Sequence, residues 1–237
     1  MDNVLPVLIL LGRPAAGKSE LIDYLGRTPQ DERARRFHVG PFQVIDDFPL
    51  LWTWFEEDAL LHDMGRPRLH TTGDGHFRRR YLWDLLVRRL GQQYDKWRRD
   101  APLGSTAIIE FSRGSEHGGY RGALPCLTES VLRDAAILYI RVSWEESLRK
   151  NRARCNPQRP DSILEHSLSD ANLRRLYKEA DWDELASADS SFLTVRGHKV
   201  PYAVFENEDD VTTPRGDALG GRLESTLGRL WELWSAR

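Results

Sequence analysis

Cysteine is nearly absent from the 237 residues: Cys126 and Cys155 are the only two, and neither belongs to a Cys-x-x-Cys pair. That excludes a disulfide framework or a cysteine-built zinc site and fits a reducing, cytoplasmic setting. No uninterrupted apolar run reaches the roughly 18 residues a membrane-spanning helix needs. The apolar opening at 4–11 is too short for a secretory leader and lacks a basic lead-in, so it reads as a buried strand. The seven histidines form no cluster at metal-ligand spacing. Lysine is scarce too, at 5 of the 34 basic residues; the rest are arginine, whose planar fork suits phosphate. A net charge of −2 provides no general polyanion-attracting field, which argues against a nucleic-acid partner without excluding one.

What is present is decisive in one place. After the strand-like run comes Gly12-Arg13-Pro14-Ala15-Ala16-Gly17-Lys18-Ser19, followed by a helical pattern opening at Glu20. Strand, glycine-framed loop and helix in this order define the phosphate-binding loop G-x-x-x-x-G-K-[ST]. Gly12 and Gly17 permit backbone angles that let successive amides curl around phosphate oxygens, and the helix directs its positive end at the same anion. The chemistry expects Gly12 to Glu20 to hold ATP, with Lys18 on the β- and γ-phosphates and the Ser19 hydroxyl on Mg²⁺. These residues resemble the P-loop NTPase superfamily.

Three later strand ends point toward a kinase. A guanine-reading N-K-x-D segment is missing: Asn207-Glu208-Asp209-Asp210 lacks the lysine. No sensor-strand series of an AAA-type or helicase-type ATPase appears. The second predicted strand ends in Asp46-Asp47-Phe48-Pro49, which resembles the D-D-F segment of uridine-kinase-like and nicotinamide-riboside-kinase-like enzymes. That resemblance implies Asp46 as the base that takes the acceptor's proton, with Asp47 as the second candidate for that role and a substrate contact. The third predicted strand, 106–111, carries an acid at the position that holds Mg²⁺ through water, Glu110. It leads to Arg113, which resembles the arginine of the E-R-S or D-R segment in nucleoside and nucleotide kinases. The fourth, 135–142, runs into a helix opened by a Ser143–Glu146 capping box. Adenylate-kinase-like enzymes carry an arginine-bearing lid here, so Arg149 and Arg152 are expected on the transferring phosphoryl, with Arg154 near the helix end.

Between the second and third strands, 50–100 is longer than a crossover helix requires. It holds two amphipathic stretches, 50–61 and 77–97, around a glycine-rich loop. In nucleoside and nucleotide kinases the acceptor-binding helices insert here, so aromatic faces and one of Arg78, Arg79 and Arg80 (Arg79 foremost) are candidate acceptor contacts; the same pattern also suits an ordinary core and a solvated basic face.

The expectation is therefore one three-layer α/β domain over 1–237, with a mostly parallel five-stranded sheet, a helical cap at about 50–100 and a lid at about 149–170. A last strand at 200–205 and an amphipathic closing helix at 217–236 complete it. The expected activity is ATP- and Mg²⁺-dependent transfer of the γ-phosphoryl group to a hydroxyl or phosphate of a small acceptor, such as a nucleoside, nucleotide or related metabolite. A kinase of a nucleotide-sugar or polynucleotide end, and a non-catalytic ATP-binding regulator, are the alternatives. No residue pattern sets an oligomeric state.

Overall fold

The structure, a computed structural model, describes residues 3–154 and 168–237. Six strands form one sheet: β1 Val7–Gly12, β2 Phe42–Asp46, β3 Thr106–Phe111, β4 Ala135–Arg141, β5 Phe192–Val195 and β6 His198–Glu206. Their spatial order is β2-β3-β1-β4-β6-β5. The first five in that order run parallel, and β5 closes the edge antiparallel to β6.

The sheet therefore has six strands where the sequence pattern gave five. The extra one is β5, joined to β6 by Arg196-Gly197, both at positive φ (49° and 84°). Two consecutive left-handed residues match the twist of a tight hairpin. Glycine adopts this freely, but arginine in the first position carries no hairpin signal.

Strand β1 explains the layering. Its residues are all buried, with Val7, Ile9 and Leu11 in one core and Leu8 and Leu10 in the other. A strand with apolar side chains on both faces must be covered twice. On the first face α4 (Tyr81–Asp100), α5 (Gly119–Ala123), α6 (Glu129–Asp134) and α9 (Trp182–Ala186) supply Val87, Leu90, Tyr94, Tyr120, Leu132 and Trp182. On the second, α1 (Lys18–Arg27) and α2 (Gln30–Phe37) pack with the closing helix α10 (Asp217–Ser235), whose Leu219, Leu223, Leu227 and Leu230 are fully buried. Each such leucine contributes about 1.5–3 kcal/mol relative to exposure. The remaining helices are α3 (Asp47–Asp63), α7 (Trp144–Arg154) and α8 (Asp170–Tyr177).

The inserted region has a small core of its own. Trp54, Leu82 and Leu86 are buried together, with Leu50, Leu51, Phe77 and Trp83 against them. Helix α3 starts three residues before the expected 50–61 because the Asp46 carboxylate caps it, accepting from the Phe48 amide at 3.0 Å. Pro49 sits in the first turn, where a missing N–H costs little. Helix α4 starts at Tyr81, after the expected 77. The loop between α3 and α4 is pinned by Asp58, which is fully buried. Its carboxylate accepts from the amides of Leu69, His70 and Thr71 and from the Thr71 hydroxyl. Burial alone would raise the pKa of Asp58, but these donors overcome it and hold the group down at about 2. Of the expected lid, 155–167 lies outside the described residues.

Candidate active site

The loop between β1 and α1 is built from special backbone angles. Gly12 has φ +153° and Gly17 φ +111°. A Cβ on Gly12 would lie 2.7 Å from the Ile140 carbonyl oxygen, and one on Gly17 would lie 2.5 Å from the Thr212 hydroxyl. Only glycine fits either position. Side chains far away in sequence hold the loop. The Tyr120 hydroxyl accepts from the Gly12 amide and donates to the Gly12 carbonyl, both at 3.1 Å. Ser147 Oγ donates to the Pro14 carbonyl at 2.8 Å, and Asn207 Nδ2 donates to the Ala16 carbonyl at 2.7 Å. None of these three was identified from sequence, since their partners lie more than 100 residues away.

Lys18, 6% exposed, extends along the inside of the loop. Its Nζ donates to Ser112 Oγ at 2.8 Å and to the Arg13 carbonyl at 3.1 Å, and sits 3.9 Å from Glu110 Oε1. Burial lowers its pKa, against the opposing pull of Glu110. Asp46 and Glu110 are partners in the β2–β3 register, so both carboxylates emerge at the carboxyl edge of the sheet beside the loop. Burial, then the charges of Glu110 and Asp47, push Asp46 up to about 7. Burial also raises Glu110, with Lys18 acting in the other direction.

A cavity of about 720 Å³ opens over this group. Pro14, Ala15, Lys18, Ser19, Glu20, Asp46, Asp47 and Glu110 line it. Phe48, Phe55, Phe77, Arg79, Arg80, Trp83 and His117, from the insert and the segment after β3, line it too. The acid-ended strands and the helical insert thus share one chamber. Arg154 and Arg175 also face it, Arg154 lying 3.6 Å from Glu20.

Several expected residues are placed elsewhere. Arg149 is held by Glu146 at 2.6 Å and Asp210 at 3.1 Å, and Arg152 by Asp170 at 2.5 Å; neither lines the cavity. Their neighbouring carboxylates, spread over α7, α8 and the segment after β6, take both guanidinium groups away from the chamber. Arg13 does not line the cavity either; it donates to the carbonyls of Tyr177 at 2.6 Å and Lys178 at 3.1 Å. Arg113 is 3% exposed and does not line the cavity. It pairs with Asp47 at 2.6 Å, donates to the Trp83 carbonyl at 3.2 Å, and stacks between Trp83 and Phe111. This position fastens the insert to the end of β3.

Magnesium fits the donor set. Ser19 and Glu110 present hydroxyl and carboxylate oxygens, the hard ligands this ion prefers, and Glu20 Oε2 beside them is buried with no hydrogen-bond partner among the described residues. No group of three or more His, Cys, Asp or Glu that could hold a metal ion exists among the described residues. An ion here would complete its shell with water and phosphate oxygens, as magnesium usually does.

A twice-covered parallel sheet with a phosphate loop between β1 and α1 defines a P-loop NTPase fold. Across 96% of this chain and 98% of the other, at 14% identity and a TM-score of 0.50, it is similar to Kti12 from Chaetomium thermophilum, crystallised with ADP-AlF3. A sugar kinase from Janibacter sp. HTCC2649 (14% identity, 96% of each chain) and TT1252 from Thermus thermophilus (16%, 88% and 92%) align at a TM-score of 0.41. No protein-family model matches the chain, and no curated protein does. Among the described residues no helix is long and apolar enough to cross a membrane.

Proposed function

We propose that the chain is an ATP- and Mg²⁺-dependent kinase that moves the γ-phosphoryl group to a hydroxyl of a small acceptor bound under the helical insert. The observation that carries this reading is the position of Asp46: its carboxylate opens on the same cavity as Lys18 and Ser19, beside Glu110. The likeness to a protein crystallised with ADP-AlF3 supports a nucleotide at the loop.

In this mechanism the loop amides and Lys18 bind the phosphates of ATP. Ser19 and Glu110 would hold Mg²⁺, which neutralises phosphate charge when bound. Asp46 accepts the proton of the acceptor hydroxyl as its oxygen bonds to the γ-phosphorus. The bond from that phosphorus to the bridging oxygen breaks, and ADP leaves. Burial beside Glu110 and Asp47 raises the proton affinity of the Asp46 carboxylate, which suits it to this proton transfer. Arg154, the α7 arginine that faces the chamber, takes the place expected of Arg149 or Arg152 in balancing charge on the transferred group. Arg79 and the aromatic side chains of the insert contact the acceptor.

Screening purified protein with Mg·ATP against nucleosides, nucleotides, sugars and related metabolites tests the reading. Transfer to one class is expected, and Asp46→Asn should cut it by on the order of 10² or more with ATP affinity intact. Tight ATP binding without transfer to any acceptor would instead identify a regulatory nucleotide-binding protein.

A further inference from the structure

The cavity wall contains an imidazole that the mechanism above leaves unused. His117 is 2% exposed and lines the chamber. Its ring lies against Trp83, with centroids 4.0 Å apart. Nδ1 accepts from the Gly114 amide at 3.3 Å, which fixes the proton of the neutral ring on Nε2. That Nε2 is buried and has no hydrogen-bond partner among the described residues. An unanswered buried donor costs on the order of 1–3 kcal/mol, and such groups in a cavity wall are answered by a ligand or a bound water.

The surroundings specify the partner. Burial, and then the charges of Arg113, Arg175 and Arg80, depress the His117 pKa to about 3, so the ring stays neutral. Arg113 is matched by Asp47, and Arg175 by Glu116 at 2.9 Å. Arg80 has no carboxylate partner among the described residues, and its guanidinium lies against Gly118, where a Cβ would come within 2.3 Å of it. Arg79, exposed and similarly unmatched, lines the same cavity. One neutral N–H and two unpaired cations form a group of donors, and a pure acceptor of negative charge complements it.

We propose that His117 Nε2 and Arg80, with Arg79 at the rim, form an oxyanion subsite, so that the ligand of the insert-side chamber carries a carboxylate or phosphate group. If the chamber binds the phosphoryl acceptor, a premise that rests on the kinase reading, then the acceptor is an anionic metabolite.

The experiment uses the full chain with its phosphate loop saturated by Mg·ADP. D-ribose, D-ribonate and D-ribose 5-phosphate are titrated calorimetrically, as are uridine and uridine 5′-monophosphate. At least one anionic member should bind about tenfold or more tightly than its neutral counterpart, and ribonate against ribose 5-phosphate separates carboxylate from phosphate. His117→Phe keeps the ring contact and removes the donor; Arg80→Gln alters an exposed side chain with no carboxylate partner and keeps the fold. Each should weaken anion binding about tenfold with ADP affinity unchanged. Equal binding of neutral and anionic members, or anion binding untouched by both variants, overturns the subsite. Transfer from ATP, followed in parallel, separates the two ideas. Anion binding without transfer upholds the subsite and removes the kinase reading, whereas transfer to neutral acceptors alone, unchanged in both variants, does the reverse.

Discussion

Tyr120 and Gly12 meet through one hydroxyl that serves both backbone groups of the first loop glycine, as acceptor for its amide and donor to its carbonyl, each at 3.1 Å. Tyr120 is itself buried between Phe111, Tyr139 and Trp182, so the contact ties the phosphate loop to the core under β1.

Tyr120→Phe keeps the ring, removes the acceptor of the Gly12 amide, and leaves the Gly12 carbonyl with only the longer contact from Lys18 Nζ at 3.4 Å among its side-chain donors. The expected cost is about 1–3 kcal/mol of unfolding free energy, read from urea titration, together with weaker ADP binding. Unchanged ADP affinity in the folded variant would mean that the loop holds its shape without the hydroxyl.

Arg113 and Asp47 form a buried pair, and removing one partner strands the other charge. Arg113→Ala is expected to destabilise by about 3–5 kcal/mol, because Asp47 loses its counter-ion and the insert loses the tie to Trp83. Chemical denaturation of the purified variant measures it. A loss under 1 kcal/mol would contradict this fastening role.

Asp58 gives a second stability test with a pH signature. Asp58→Ala should cost on the order of 3 kcal/mol at neutral pH, since three amides and a hydroxyl lose a charged acceptor. The folded pKa lies below the unfolded one, so the contribution is present above about pH 4 and fades as pH falls toward 2. The gap between wild type and Asp58→Ala should close across that window; a constant gap would contradict it.

Asp46 behaves in the opposite sense. Without magnesium or nucleotide, its folded pKa of about 7 exceeds the ordinary 3.8. The folded chain binds the extra proton between these values, so this group makes stability fall as pH rises from about 4 to 7. Asp46→Asn should flatten that part of the stability profile measured in EDTA, and should leave the variant the more stable protein at pH 8. An unchanged slope would place the Asp46 carboxylate in water.

The phosphate loop, the two acid-ended strands and the closing helix were legible because each is written in contiguous residues: Gly12 to Ser19 in one run, Asp46 and Glu110 at the ends of apolar strands. The edge strand β5 was not, since it has four residues and turns through an arginine at positive φ. Nor were Tyr120, Asn207 and His117, whose roles arise only when distant segments meet. Arg149 and Arg152 show the converse: a basic helix end suggested a lid, and the carboxylates that engage it come from Glu146, Asp170 and Asp210, the last two outside that helix.

The central claim is that the stretch from Gly12 to Ser19 closes around the phosphates of ATP. Calorimetric titration of Mg·ATP into the folded wild-type chain and into Lys18→Ala tests it most directly. A saturable site in the wild type, weakened by about tenfold or more in the variant, is the expected result; no binding heat in the wild type, or equal affinity in both, would contradict the account.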